Sequence, residues 1–135
     1  MENTAHIQRI RVAASLEAAE AFAADVSNLP RWTLFFETLL VKTRKNQARF
    51  LTRNEQSETM IVVRRKSKTI RIMSILSLLG GRLETANIEL SGNGQSTDMT
   101  FTIYIPADLP IEKRNKMIAD VNTELDRFRG TVEAR

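Results

Sequence analysis

The sequence contains no cysteine, one histidine, one tryptophan, one tyrosine and three prolines in 135 residues. Without Cys there is neither a disulfide framework nor a thiolate centre. With a single His, only scattered carboxylates are left to ligate a metal, so metal chemistry has almost no support and no cofactor is expected. No uninterrupted apolar run approaches the roughly 18 residues of a membrane span, and the opening MENTAHIQRI carries no apolar h-region. A soluble, cytoplasmic protein is the expectation. Glycine is also sparse, and the run GNGQST lacks the Lys and the preceding strand-to-helix context of a phosphate loop, so its glycines read as hairpin geometry.

What is present is enough for one core. At this length a single domain over residues 1–135 can bury roughly two thirds of its unfolded surface. The formal charge of +4 is modest but unevenly placed. Lys42, Arg44, Lys45, Arg49, Arg53, Arg64, Arg65, Lys66, Lys68 and Arg71 face only Glu55 and Glu58 within the same stretch. Such a run suits an acidic partner, whether an anionic ligand, lipid headgroups or nucleic acid. It also suits the solvated outer face of a sheet, since the charges mostly alternate with apolar residues. Nucleic-acid binding by that face would want interleaved aromatics, and Phe50 has the opposite phase.

The strongest periodicity is at the C-terminal end, where Ile111, Ile118, Val121, Leu125, Phe128 and Val132 form one stripe of a long α-helix. A helix with such a stripe must bury it. The largest partner on offer is a set of alternating, β-branched segments. His6 to Val12 reads as a first strand, Ser15 as the N-cap of a short helix over Leu16 to about Asp25, and Asn28 with Pro30 as the start of a second helix carrying Trp32, Phe35 and Phe36. From Thr38 the period falls to two. Strands follow around Leu39 and Val41, Ala48 to Thr52, Thr59 to Arg65 with its register open, Ile70 to Leu76, Leu83 to Leu90, and Met99 to Ile105. Pro106 ends the last, and Asp108 with Pro110 starts the long helix.

A strand followed by ASLEAAEAF, then Asp25 with NLPRW, a meander closing in GNGQST and MTFTIYIP, and a final helix containing ELDRF resembles the START-like helix-grip superfamily. The nearer branch is that of polyketide cyclase or dehydrase and lipid transport. The resemblance implies an α+β fold: a curved antiparallel sheet of about seven strands, two short helices, and a long C-terminal helix packed across it with a pocket between. Members of this superfamily include enzymes, carriers and partner-binding modules, and fold alone does not choose among them.

Candidate pocket residues follow from phase. Phe50, Thr52, Ile72, Ser74, Phe101 and Ile103 share the inward phase assigned to their strands. The hydroxyls of Thr52 and Ser74 would need a partner there, which a ligand or a water could be. Arg114 falls between Ile111 and Ile118, within the stripe. It reads either as a guanidinium aimed into the pocket to hold a carboxylate, phosphate or enolate oxygen, or, more commonly for such a residue, as a buried stem with its head in water. Trp32, Phe35 and Phe36 form a lip over the pocket or part of the core, the commoner arrangement. Ile118 lies in the stripe as a pocket contact, and Met117 and Asn122 flank the stripe on opposite sides, Met117 as a core filler and Asn122 as a ligand contact or, more often, a water-facing edge residue. His6 serves as a base only with a carboxylate or hydroxyl in reach; a solvated His at a frayed terminus is simpler.

Three functions are compatible with this reading. The first is binding or carriage of a small hydrophobic or amphipathic molecule, with any acidic group met by Arg114. The second is a cyclase- or dehydratase-like enzyme, against which no acid–base pair is recognisable. The third is a module binding an acidic macromolecule through the basic sheet face. No residue is assigned a catalytic role.

Overall fold

The computed structural model describes residues 3–52 and 55–134. Arg53, counted above in the basic run, lies outside them. The inward alternation of Ile10 and Val12 continues into β1 (Asn3–Val12), and Ser15 caps α1 (Leu16–Ala24) by accepting from the Ala18 N–H at 3.1 Å. A 3-10 turn, Val26–Asn28, leads into α2 (Leu29–Trp32), which is a single turn. Asn28 makes no capping bond there; its amide donates to Phe22 O at 3.0 Å instead. Helix α2 stops at Trp32 because Thr33 is extended and turns its hydroxyl back onto Leu29 O at 2.7 Å. Phe35 and Phe36 are therefore not helical, as the spacing had suggested, and Phe36 opens the next strand.

Six strands follow: β2 (Phe36–Arg44), β3 (Gln47–Thr52), β4 (Glu55–Ser67), β5 (Ile70–Leu79), β6 (Arg82–Gly92) and β7 (Thr97–Pro106). They form one seven-stranded antiparallel sheet in the order β1-β7-β6-β5-β4-β3-β2, a meander that β1 closes beside β7. The β5–β6 turn needs its two glycines, with φ of 53° at Gly80 and 83° at Gly81. Helix α3 (Ile111–Glu133) then crosses the inner face. Pro110 stands at its N-cap without a side-chain bond, so Asp108 does not cap it.

One phase assignment is reversed. The inner face of β5 carries Arg71, Met73, Ile75, Ser77 and Leu79, all buried, while Ile72 and Ser74 point to the outer face. The register leaves no freedom, since Met73 opposes Ile88 and Ile75 opposes Ala86, whereas Ile72 opposes Glu89 and Ser74 opposes Asn87. Arg71 made the inner set look polar. Its guanidinium is buried because Glu20 of α1 meets it at 2.8 Å, and it also donates to Ser67 O at 2.9 Å, supplying the partners that a buried charge requires.

The core is concentrated under the C-terminal half of α3. Val121, Leu125, Phe128 and Val132 are buried. Phe128 meets Phe22 of α1 and Trp32 of α2 edge to face, with centroids 5.3 and 5.2 Å apart, and Trp32 in turn meets Phe101 of β7 at 5.6 Å. Burying a side chain of this kind contributes about 1.5–3 kcal/mol, with aromatic pairing adding about 0.5–1.5 kcal/mol. The other half of the stripe is not gripped: Ile118 is half-buried and Ile111 is 67% exposed. The apolar stripe thus overstates the contact by more than two turns.

Two substitutions measure this asymmetry. Phe128→Ala should cost about 3–5 kcal/mol in urea unfolding, whereas Ile111→Ala should stay within about 0.5 kcal/mol of the parent. Equal effects would mean that both halves of the helix are seated.

Candidate functional site

Where α3 is not seated, a cavity of about 830 Å³ lies between it and the sheet. The sheet contributes Thr52, Ile75, Ser77, Ala86, Phe101 and Ile103. The helix contributes Met117, Asp120, Val121 and Glu124, and the extended Thr33–Phe36 segment closes one side. Leu34 and Leu83 belong to the lining and are 38% and 64% exposed, so they mark the rim. Arg82 stands nearby, joined to Glu55 at 3.1 Å and to Glu84 at 3.6 Å.

Glu124 is the chemically distinctive group. It is only 7% exposed, and its Oε2 accepts the Leu34 N–H at 2.8 Å. A second bond comes from the Phe35 N–H. The segment between α2 and β2 has no ladder partner of its own for these amides, so the helix carboxyl supplies one and holds the segment over the cavity. Arg127, one turn further along α3, reaches toward Thr33 O and Pro30 O at 3.5 Å from the same side. Burial pushes the Glu124 carboxyl above its ordinary range; Asp120 on the preceding turn pushes the same way, while the Leu34 and Phe35 amides and Arg127 oppose the shift.

A second polar feature lies within the sheet. Ser57 and Thr59 of β4 and Ser77 of β5 are buried on the inner face and share a run of hydroxyl hydrogen bonds of 3.1 and 3.0 Å. Ser77 brings that run to the cavity wall. Three hydroxyls joined by two bonds leave one O–H proton without an acceptor inside the run, a donor that a polar ligand atom could satisfy.

Of the residues expected in the pocket, Phe35, Thr52, Phe101, Ile103 and Met117 line it. Thr52 already donates to Glu55 O at 2.9 Å. Trp32 and Phe50 are fully buried in the core and do not reach the lining. Ile72 and Ser74 are on the opposite face of the sheet, where Ser74 donates to Asn87 at 3.0 Å. Arg114 and Ile118 are half-buried on α3 outside the lining, because the inward direction at this end of the helix is taken by Met117, Asp120 and Val121. Asn122 is exposed and accepts from the Gln8 side chain. His6 is not frayed: it is half-buried within β1, its Nε2 3.2 Å from Gln8 Oε1.

Glu124, Ser57, Thr59 and Ser77 were not singled out from the sequence. The signal for Glu124 was present, since it falls inside the stripe between Val121 and Phe128, the same criterion that drew attention to Arg114. The serines and threonines were hidden by the open register of β4 and the reversed phase of β5. In the basic stretch, Lys42 pairs with Asp25 at 3.1 Å and Arg49 with Glu58 at 3.1 Å, while Arg64, Arg65, Lys66 and Lys68 are exposed on and beside the β4–β5 hairpin. Among the described residues no group of three His, Asp or Glu side chains is arranged to hold a metal ion, and no helix is long and apolar enough to cross a membrane.

No protein-family model matches the sequence, and no curated protein matches it significantly. Solved structures do match. A START superfamily protein from Mycobacterium smegmatis aligns with a TM-score of 0.63 at 16% identity, covering 96% of this chain and 97% of that one. The chain has the START-like helix-grip fold. CalU16 from Micromonospora echinospora shares this START-like fold with a TM-score of 0.60 at 17% identity, covering 97% of this chain and 76% of its own. XoxI from Bacillus cereus aligns at 0.66 with 9% identity, over 96% of this chain and 95% of that one. At such identities the likeness speaks for the fold.

The Glu124 carboxyl makes stability pH-dependent in a defined sense. Because its folded pKa lies above the ordinary 4.5, its favourable contribution is complete below that value and is lost as pH rises through the raised one. The parent should therefore lose stability relative to Glu124→Gln as pH is raised from below 4.5 toward neutrality, in paired denaturant titrations. Glu124→Ala, which leaves the Leu34 amide without its acceptor, should cost about 1 kcal/mol or more. A pH-independent difference between the parent and the Gln variant would remove the buried carboxyl from the account.

Proposed function

We propose that the protein binds or carries a small hydrophobic or amphipathic molecule in the cavity between sheet and α3. The single observation that carries this reading is the cavity itself. Its volume of about 830 Å³ falls within the range of about 300–1,000 Å³ usual for small-molecule sites, and its lining sets apolar side chains such as Ile75, Phe101, Ile103 and Val121 beside polar ones. The apolar stretches of its wall lack the dispersion contacts that a filled interior makes. Apolar ligand surface would restore those contacts, while Glu124 and Ser77 would fix the orientation of a polar end.

A second reading, a cyclase- or dehydratase-like enzyme, is favoured by one observation, the buried Glu124 carboxyl in the cavity. This carboxyl is displaced by burial in the direction that a general acid requires. It would protonate a departing hydroxyl or enolate oxygen of a chain folded against Phe101 and Ile103. DynU16, which has the same fold at 15% identity and a TM-score of 0.60, is a putative protein of the dynemicin biosynthetic locus, and this chain spans 47% of its length. Enolate stabilisation by Arg114 is not part of this reading, since Arg114 does not line the cavity.

Ligands with apolar bodies, such as medium-chain alcohols, isoprenoids and fused aromatics, should raise the melting temperature of the parent by about 10 °C at about 100 times Kd, where linkage contributes about 2.7 kcal/mol. The same ligands should leave Ala86→Trp, which fills the cavity from β6, unshifted. A parent that no ligand of these classes stabilises, or a filled variant that responds like the parent, would sink the cavity-binding reading.

A further inference from the structure

The charge of the cavity is opposite to what the whole chain suggests. The chain carries a formal net charge of +4, yet among the described residues the acidic and basic side chains lining the cavity are Glu55, Glu84, Asp120, Glu124 and Arg82. Among the described residues no Lys or His lines it. Arg82 is already engaged, with two bonds to Glu55 of 3.4 and 3.1 Å and a contact to Glu84 of 3.6 Å. Arg114 is outside the lining, and Arg127 is directed to the carbonyls of Pro30 and Thr33. A carboxylate or phosphate entering this space would meet four carboxyl residues and one occupied guanidinium. Glu55, Glu84 and Arg82 stand at the solvent-exposed rim, where such encounters are screened, whereas the enclosed Glu124 is screened least.

The deepest of the four acids defines the preference. Glu124 is buried at the cavity wall, and its ionised form is met by the Leu34 and Phe35 amides and, through space, by Arg127 outside the lining. A protonated amine beside it would supply the opposite charge that the protein does not place in the cavity. Asp120, one turn earlier on the same face, adds to the attraction even with Lys116 reaching it from solvent at 3.4 Å. The apolar walls formed by Ile75, Phe101 and Ile103 would take the rest of the molecule.

Resting on the cavity-binding reading above, we infer that the ligand class is a cationic amphiphile: an apolar body whose protonated amine sits against Glu124 and Asp120. A fatty acid or other apolar acid is the class this charge arrangement rejects. The preference runs against the global field of a basic protein, which favours anions, so it can come only from local placement.

The test uses three probes of one chain length, octylammonium, octanol and octanoate, competing for the parent and for Glu124→Gln against a neutral fluorescent dye at neutral pH. The parent should bind octylammonium about tenfold or more tightly than octanoate. The Gln variant keeps an oxygen for the Leu34 amide and should lose most of the discrimination between amine and acid, each measured against octanol in the same protein. Octanoate binding as well as the amine, or discrimination unchanged in the Gln variant, overturns the inference while the cavity reading stands on octanol. If octanol and both charged probes fail to bind the parent, the cavity reading itself falls and takes this inference with it.

Discussion

The structure depends on how Phe128 is seated. Its ring is held edge to face between Phe22 and Trp32, and Trp32 is itself held against Phe101, so one side chain of α3 is pinned to two helices and, through the indole, to the sheet. Because this anchor lies in the second half of a 23-residue helix, the first half projects past the packed layer. The space beneath it is what the fold leaves over once the anchor is satisfied. A helix gripped along its whole length would have had nowhere to put a ligand.

That projecting half is steadied by polar contacts. Glu124 stands at the boundary between the seated and unseated parts and spends its carboxyl on the amides of the segment after α2, so helix position and the cavity wall are set by one group. The coupling is electrostatically poised: burial disfavours the charged carboxyl while the amides favour it. Whatever enters the cavity approaches a group whose charge and hydrogen bonding already determine how the wall is held.

Much of the architecture was legible because it rests on local signals. The stripe around Val121, Leu125 and Phe128, the alternation of Met99 to Ile105, the Ser15 cap and the glycines before β6 each state their structure over a few residues. The candidate site was less legible because phase was decided by hydropathy. On β5, Arg71 made the true inner face look like the outer one, and only a residue fifty-one positions away, Glu20, explains why a guanidinium is buried there. The same ambiguity covers Arg114 and Glu124 within one stripe: both are charged residues at inward-leaning positions, and which is enclosed depends on where the helix is anchored, a tertiary fact. Thr52 was placed in the pocket by phase, but its hydroxyl is already bonded to the backbone at Glu55.

The anchoring indole has a further consequence. Trp32 is the chain's one tryptophan, fully buried, with its Nε1 proton lacking an acceptor among the described residues. An indole in so dry a setting emits toward the blue, and with no second fluorophore of its kind to confuse the signal, its colour is an optical gauge of whether the helix is seated. The same feature that organises the interior thus lets its loosening be watched in solution without any label.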